Sequence, residues 1–207
     1  MSLLSLLAFV SRHPLNQGSR ARACGRVLRW QIASRFGPGA VAVPFIDSTR
    51  LLVTPGMTGA TGNWYCGLHE ANDMGFVLHY LRSSDTFWDI GANIGSYTIL
   101  AAGAAGARAV AIEPIPSTFA ILRANIRLND LDDKVLLING GLAAEPGTLR
   151  FTGDLDTMNH ALGPGETNAC EISVNVTTLD TLARDTPATF IKIDVEGFES
   201  AVLEGGR

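Results

Sequence analysis

The stretch Phe87-Trp88-Asp89-Ile90-Gly91-Ala92-Asn93-Ile94-Gly95-Ser96 decides the fold. Residues 86–90 read as a short buried strand, and the glycines of 91–95 end it in a turn. Residues 96–105 then supply small and apolar residues at helix length. Glycine after a strand lets a ligand come close to the backbone. The helix that follows offers unpaired N–H groups to an anion. Glu113 lies 18 residues beyond Gly95, at the end of the next predicted strand, 109–112. An acid about 20 residues past such a turn holds ribose hydroxyls in nucleotide-binding sheets, and its two oxygens suit a vicinal diol.

Downstream the same rhythm continues. Ser117 is read as the cap of a helix reaching Asn129, with Phe119, Leu122 and Ile126 on one face. Strands are predicted at 135–138 and 172–177, with a hairpin-like piece at 149–152, a fourth core strand at 190–194 and a helix at 199–204. Strands alternating with helices mean a doubly wound, mostly parallel α/β sheet.

Upstream the pattern differs. Residues 1–50 hold seven arginines and one acid, Asp47, whereas residues 51–207 hold nine basic and nineteen acidic residues. Asn16 and Ser19 are candidate caps for a helix running to about Phe36, with Cys24, Val27, Leu28 and Ile32 at helical spacing. The arm reads first as an amphipathic helix packed on the body. Peripheral contact with an anionic membrane surface is a second reading, and an organellar transit peptide a third. No aromatics are interleaved at stacking spacing, so no nucleic-acid partner is expected. Residues 41–54 read as a hairpin around Asp47-Ser48, with Pro44 marking an edge. The three glycines of 55–63 predict a loop, and 68–81 a helix through Met74, Val77, Leu78 and Leu81. The chain thus divides into a basic helical arm (1–39), a hairpin and helix leading into the core (40–85), and a cofactor-binding domain (86–207).

Composition excludes several classes. Charged residues are 17% and hydrophobic residues 46% of the 207, which argues against disorder. No apolar run approaches the roughly 20 residues that span a bilayer. Three separated cysteines, Cys24, Cys66 and Cys170, give neither a disulfide framework nor a cysteine zinc site, which favours a reducing, cytoplasmic setting. His69 and His79 lack metal-motif spacing, and no metal is expected.

Spacing then separates the ligands. The dinucleotide fingerprint is GxGxxG, with room for a pyrophosphate. Gly91-x-Asn93-x-Gly95, with Asp89 in front, is one residue tighter. It resembles motif I of class I S-adenosylmethionine (SAM) methyltransferases. Asp89-Ile90-Gly91-Ala92-Asn93-Ile94-Gly95-Ser96-Tyr97-Thr98, Glu113-Pro114-Ile115-Pro116 and Ile191-Lys192-Ile193-Asp194-Val195-Glu196-Gly197-Phe198-Glu199 occur in that order. Together, with Val176-Thr177-Thr178-Leu179-Asp180 and Val202-Leu203-Glu204-Gly205-Gly206, they resemble the FkbM family of SAM-dependent methyltransferases over roughly residues 70–207.

The resemblance implies a Rossmann-like fold and O-methylation of a hydroxyl on a sugar, lipid or secondary metabolite. Gly91, Ala92, Asn93 and Gly95 then hug the methionine part of SAM, Asp89 orders the turn, and Glu113 binds the ribose. Where the family carries an acid facing adenine, this chain has Ala144, followed by Glu145. Asp194 is the first candidate for a general base and Glu196 the second; Glu196 alternatively caps the helix after it. Lys192, alternating with Ile191 and Ile193, faces the other side of its strand and has an acid as expected partner. Asn125 is assigned to stabilising packing or a loop. His160 is a candidate substrate neighbour in the segment 153–170. His69 and Glu70 precede the first core strand and are placed to close over the cofactor, whereas Trp64 and Tyr65 are read as packing residues. Three strands normally follow the Asp194 strand in this fold, so a truncated frame or a fragment of a longer protein is expected. Two alternatives stand beside the methyltransferase: a non-catalytic SAM-binding or interaction module, and an NAD-dependent oxidoreductase.

Overall fold

The computed structural model describes residues 2–35, 37, 39–152 and 171–207. His160 and Cys170 lie outside the described residues. The core is a parallel sheet of four strands, β3 (Thr86–Ile90), β4 (Arg108–Ile112), β5 (Val135–Ile138) and β9 (Phe190–Ile193), in the order β5-β4-β3-β9. Apart from Asp89 and Lys192, the inner residues of its strands are apolar on both faces, as a parallel sheet with helices on both sides requires. Phe87, Ala109 and Ala111 face one layer. There they meet α5 (Ser96–Ile99), which runs on as a wider π turn at Leu100–Ala104, and α6 (Pro116–Leu128). Trp88, Ile90, Val110 and Ile112 face the other. That layer holds α7 (Leu179–Asp185) and α8 (Glu199–Glu204) through Leu179 and Val202. The doubly wound sheet expected from the sequence is thus present.

A second sheet of three strands joins β6 (Gly141–Leu142), β8 (Glu171–Thr177) and β7 (Gly147–Thr152). β8 pairs in parallel with β6 and antiparallel with β7. The two strands expected around 149–177 therefore form their own layer beside the core.

The N-terminal region is helical. α1 (Leu3–Arg12) and α2 (Arg20–Ala33) pack together, followed by the hairpin β1 (Val41–Pro44) and β2 (Arg50–Val53), which turns at Asp47. α2 buries Ala23, Val27 and Trp30; of the predicted face Val27 is buried, whereas Leu28 and Ile32 are exposed. The buried set recurs at i, i+4, i+7, and the indole of Trp30 outweighs the smaller aliphatics in area. Val10, Ala23 and Val27 join the same core as Phe87 and Leu122.

The expected loop at 55–63 is a helix in its second half, α3 (Thr58–Cys66), followed by α4 (Ala71–Tyr80). Gly62 serves packing, since a Cβ there would run into the His69 ring, whereas a Cβ on Gly56 or Gly59 would meet nothing within 4 Å. Trp64 and Tyr65 are packing residues of α3. Tyr65 is buried, and Trp64 stands edge-on to Trp30, ring centres 5.4 Å apart at 79°. Ser117 is not the cap of α6: Ile115 holds that position and Pro116 opens the helix, its missing N–H being one the first turn leaves unpaired anyway. Among the described residues no helix is long and apolar enough to cross a membrane.

Candidate cofactor site

β3 and β9 lie side by side and parallel, so their C-terminal ends open on one rim. There residues 91–95 turn sharply. Gly91, Asn93 and Gly95 all have positive φ (74°, 51° and 91°), which glycine adopts freely and asparagine tolerates. The Gly91 and Ala92 N–H groups both donate to the Ile112 carbonyl at 3.0 Å, folding the turn over the end of β4. A side chain at Gly91 would collide with the Asp194 carbonyl. Asn125, fully buried on α6, donates to the Ile94 carbonyl (2.8 Å) and accepts from the Leu52 N–H (2.8 Å). It ties the turn to the hairpin, a loop-holding role in keeping with its assignment.

Asp89 has no solvent exposure. Thr98 donates to its Oδ2 at 2.6 Å, and Lys192 Nζ lies 3.2 Å from its Oδ1. Lys192 also reaches Asp194 Oδ2 (3.4 Å) and the Gly91 carbonyl (3.3 Å). Burial opposes its charge, but Asp89 and Asp194 outweigh burial and hold Lys192 above its ordinary pKa. The acid expected beside Lys192 is therefore the motif acid Asp89.

Glu113 follows directly on β4 and is 6% exposed. The Asn93 N–H donates to Oε2 (2.9 Å) and the Ile115 N–H to Oε1 (3.0 Å). Burial pushes the carboxyl up to about 7 against the lowering effect of these two bonds.

Two clefts open on this rim. The first is lined by Glu113, Ile115, Leu142, Phe151, Phe198 and neighbours. The second is lined by Asn63, His69, Glu70, Tyr97 and Lys192. They share Gly91, Asn93 and Asp194. Tyr97 donates to Glu70 Oε2 at 2.7 Å. Glu196 is exposed with φ 46°. It does not cap α8: Phe198 holds that position without a side-chain cap, and Glu199 Oε1 instead accepts from the preceding loop, from the Gly197 N–H (3.2 Å) and the Val195 N–H (3.4 Å). Glu145 is exposed, and neither it nor Ala144 lines the first cleft. Among the described residues no group of three His, Cys, Asp or Glu is placed to hold a metal ion.

The sequence profile described as Methyltransferase FkbM domain matches residues 89–207, more than half of the chain. The chain belongs to the FkbM methyltransferase family. The FkbM match begins at Asp89 and includes the glycine turn, Glu113 and Asp194. The family's cofactor is SAM, as the resemblance implied.

The FkbM chain is also similar to solved structures. One is TYW2 of P. horikoshii in complex with MeSAdo, at 20% identity over 51% of this chain and 37% of that one, TM-score 0.41. Another is an RNA methyltransferase from Salinibacter ruber in complex with S-adenosyl-L-homocysteine, at 28% identity over 33% and 46%, TM-score 0.32. A third is aTrm5 in complex with tRNALeu, at 18% identity over 50% and 28%, TM-score 0.37. The chain spans less than half the length of each of these three. A comparison with curated proteins finds no match. The expectation of no nucleic-acid partner is corrected, because proteins solved as an RNA methyltransferase and with tRNA stand among the matches. That expectation rested on absent stacking aromatics, whereas phosphate contacts need only arginine and lysine.

Proposed function

We propose that this chain is an enzyme transferring a methyl group from SAM to a hydroxyl of a sugar, lipid or secondary metabolite. The observation that carries the reading is Glu113. It is a buried carboxylate at the end of β4, lining the first cleft beside the glycine turn, with one N–H on each oxygen. Each oxygen keeps a lone pair for a ribose hydroxyl. The residues fit the cofactor in other respects too. The apolar walls of the first cleft, Ile115, Leu142 and Phe151, suit a purine ring. Carboxylates at Asp194 and Glu70 suit a ligand bearing positive charge.

When bound, the cofactor supplies an electrophilic methyl group on a sulfonium. The chain's own task is alignment and proton removal. Gly91, Ala92, Asn93 and Gly95 bring backbone against the ligand, and Asp89 fixes them through Thr98 and Lys192. In-line displacement gains most from holding nucleophile, carbon and sulfur in one line. Asp194, shared by both clefts, takes the acceptor's proton as general base, with Glu196 as second candidate. In this reading residues 86–207 carry the chemistry, 40–85 lead into it and 1–39 brace it.

Calorimetry with SAM on the wild type and on Glu113→Ala is the first test. Micromolar binding, weakened in the variant, supports the reading; a folded chain that does not bind SAM refutes it. Transfer of labelled methyl to a panel of hydroxylated acceptors, lost in Asp194→Asn, tests the enzyme. A second reading, a SAM-binding module without transfer, draws on the ion pair that Asp194 makes with Lys192. Binding without transfer to any acceptor selects it.

A further inference from the structure

We propose that Glu70 in the second cleft binds the ammonium group of the cofactor's amino-acid end, an inference that rests on the SAM reading above. The two clefts meet at Gly91, Asn93 and Asp194. A ligand whose ribose sits at Glu113 therefore enters the second cleft as its sulfur-bearing arm crosses the turn. The charges that await it there are unequal. Lys192 is shared between Asp89 and Asp194. His69 is held below its ordinary pKa by burial, with Glu70 opposing and His13 adding to the effect, so it brings no cation at neutral pH. Among the described residues Glu70 has no cationic partner.

Glu70 is also aimed. The Tyr97 hydroxyl holds Oε2, and among the described residues no donor reaches Oε1. Tyr97 itself stands on the helix that the glycine turn starts, so Glu70 is referenced to the same backbone that faces the cofactor. The loop carrying Glu70 is fixed from behind. The His69 N–H donates to Asn63 Oδ1 (2.8 Å), and the His69 carbonyl lies 3.1 Å from His13 Nε2. A carboxylate oxygen on a fixed loop is a ready acceptor for a compact group with three donors. Glu70 lies before the region matched by the family profile, which begins at residue 89.

The test compares two probes on the full chain by calorimetry: SAM, and 5′-methylthioadenosine, which keeps the adenosine and sulfur but has no amino-acid end. Glu70→Gln should weaken SAM about ten- to a hundred-fold, the worth of one charge-assisted hydrogen bond. It should leave 5′-methylthioadenosine within about twofold. Equal losses on both probes assign Glu70 to the fold and overturn the inference, as does no loss on either. A selective loss in Asp194→Asn but not in Glu70→Gln moves the ammonium to Asp194 and overturns it too. Wild-type chain that binds neither probe overturns the SAM reading itself. If Glu70→Gln does not fold, Tyr97→Phe decides. It frees Glu70 without removing its charge, and should give a smaller loss that again spares 5′-methylthioadenosine; an equal loss on both probes, or none, overturns the inference.

Discussion

Lys192 and Asp89 face each other across adjacent parallel strands, in register, with Nζ 3.2 Å from Oδ1. Asp89 is fully buried and Lys192 largely so, and the same ammonium reaches the Gly91 carbonyl and Asp194. One cation thus joins the end of β3, the glycine turn and the end of β9. Breaking a buried pair from one side strands the other charge. Lys192→Met should therefore cost about 3 to 5 kcal/mol in urea unfolding. Asp89→Asn should cost less, since Lys192 keeps Asp194. Equal losses would contradict this asymmetry.

Glu113 makes stability and binding depend on pH in opposite senses. Its carboxyl is raised from 4.5 to about 7, chiefly by burial. Between those values the folded chain holds a proton that the unfolded chain releases. Stability should then fall as pH rises through this window, by on the order of 3 kcal/mol at most, and level off above it. Glu113→Gln should abolish the slope. SAM affinity should rise over the same window in the wild type, because the ionised form is the better acceptor for ribose hydroxyls. Urea melts and calorimetry at about pH 5 and about pH 8 check both.

Gly91→Ala places a Cβ against the Asp194 carbonyl at a residue with φ 74°. Main chain cannot swing aside as a side chain does. A loss of about 3 kcal/mol or more is expected, together with loss of SAM binding. Gly147→Ala, where nothing lies within 4 Å, should be close to neutral. Thermal melts of the two variants make the comparison.

Asn125→Leu leaves the Ile94 carbonyl and the Leu52 N–H without their partner. The cost should be about 2 to 4 kcal/mol. Hydrogen exchange should quicken first in the turn and in β2. Protection unchanged at both places would show that Asn125 is not the tie.

These variants also mark how far the sequence could be read. Strand, turn and helix from Thr86 onward were legible because their signals are local: apolar runs punctuated by glycine. α3 was hidden because Gly59 and Gly62 look like loop residues, and only the His69 ring packed on Gly62 explains the second. The face of α2 was misjudged because Leu28 and Ile32 match a helical period that tertiary packing does not use. Glu113 was found by its distance from the turn. The Tyr97–Glu70 bond joins residues 27 apart with no shared motif, and no spacing rule announces it.

The edge-on contact of Trp30 and Trp64 has an optical consequence. Two indoles this close and nearly perpendicular couple their transitions, so the arm and the body share one chromophore. Trp88, buried on the far side of the sheet, stands outside that pair. The chain carries three tryptophans. Near-ultraviolet circular dichroism of the wild type against Trp64→Phe therefore reads the seating of the arm, while the emission that remains in a Trp30→Phe/Trp64→Phe double variant reads the core around Trp88.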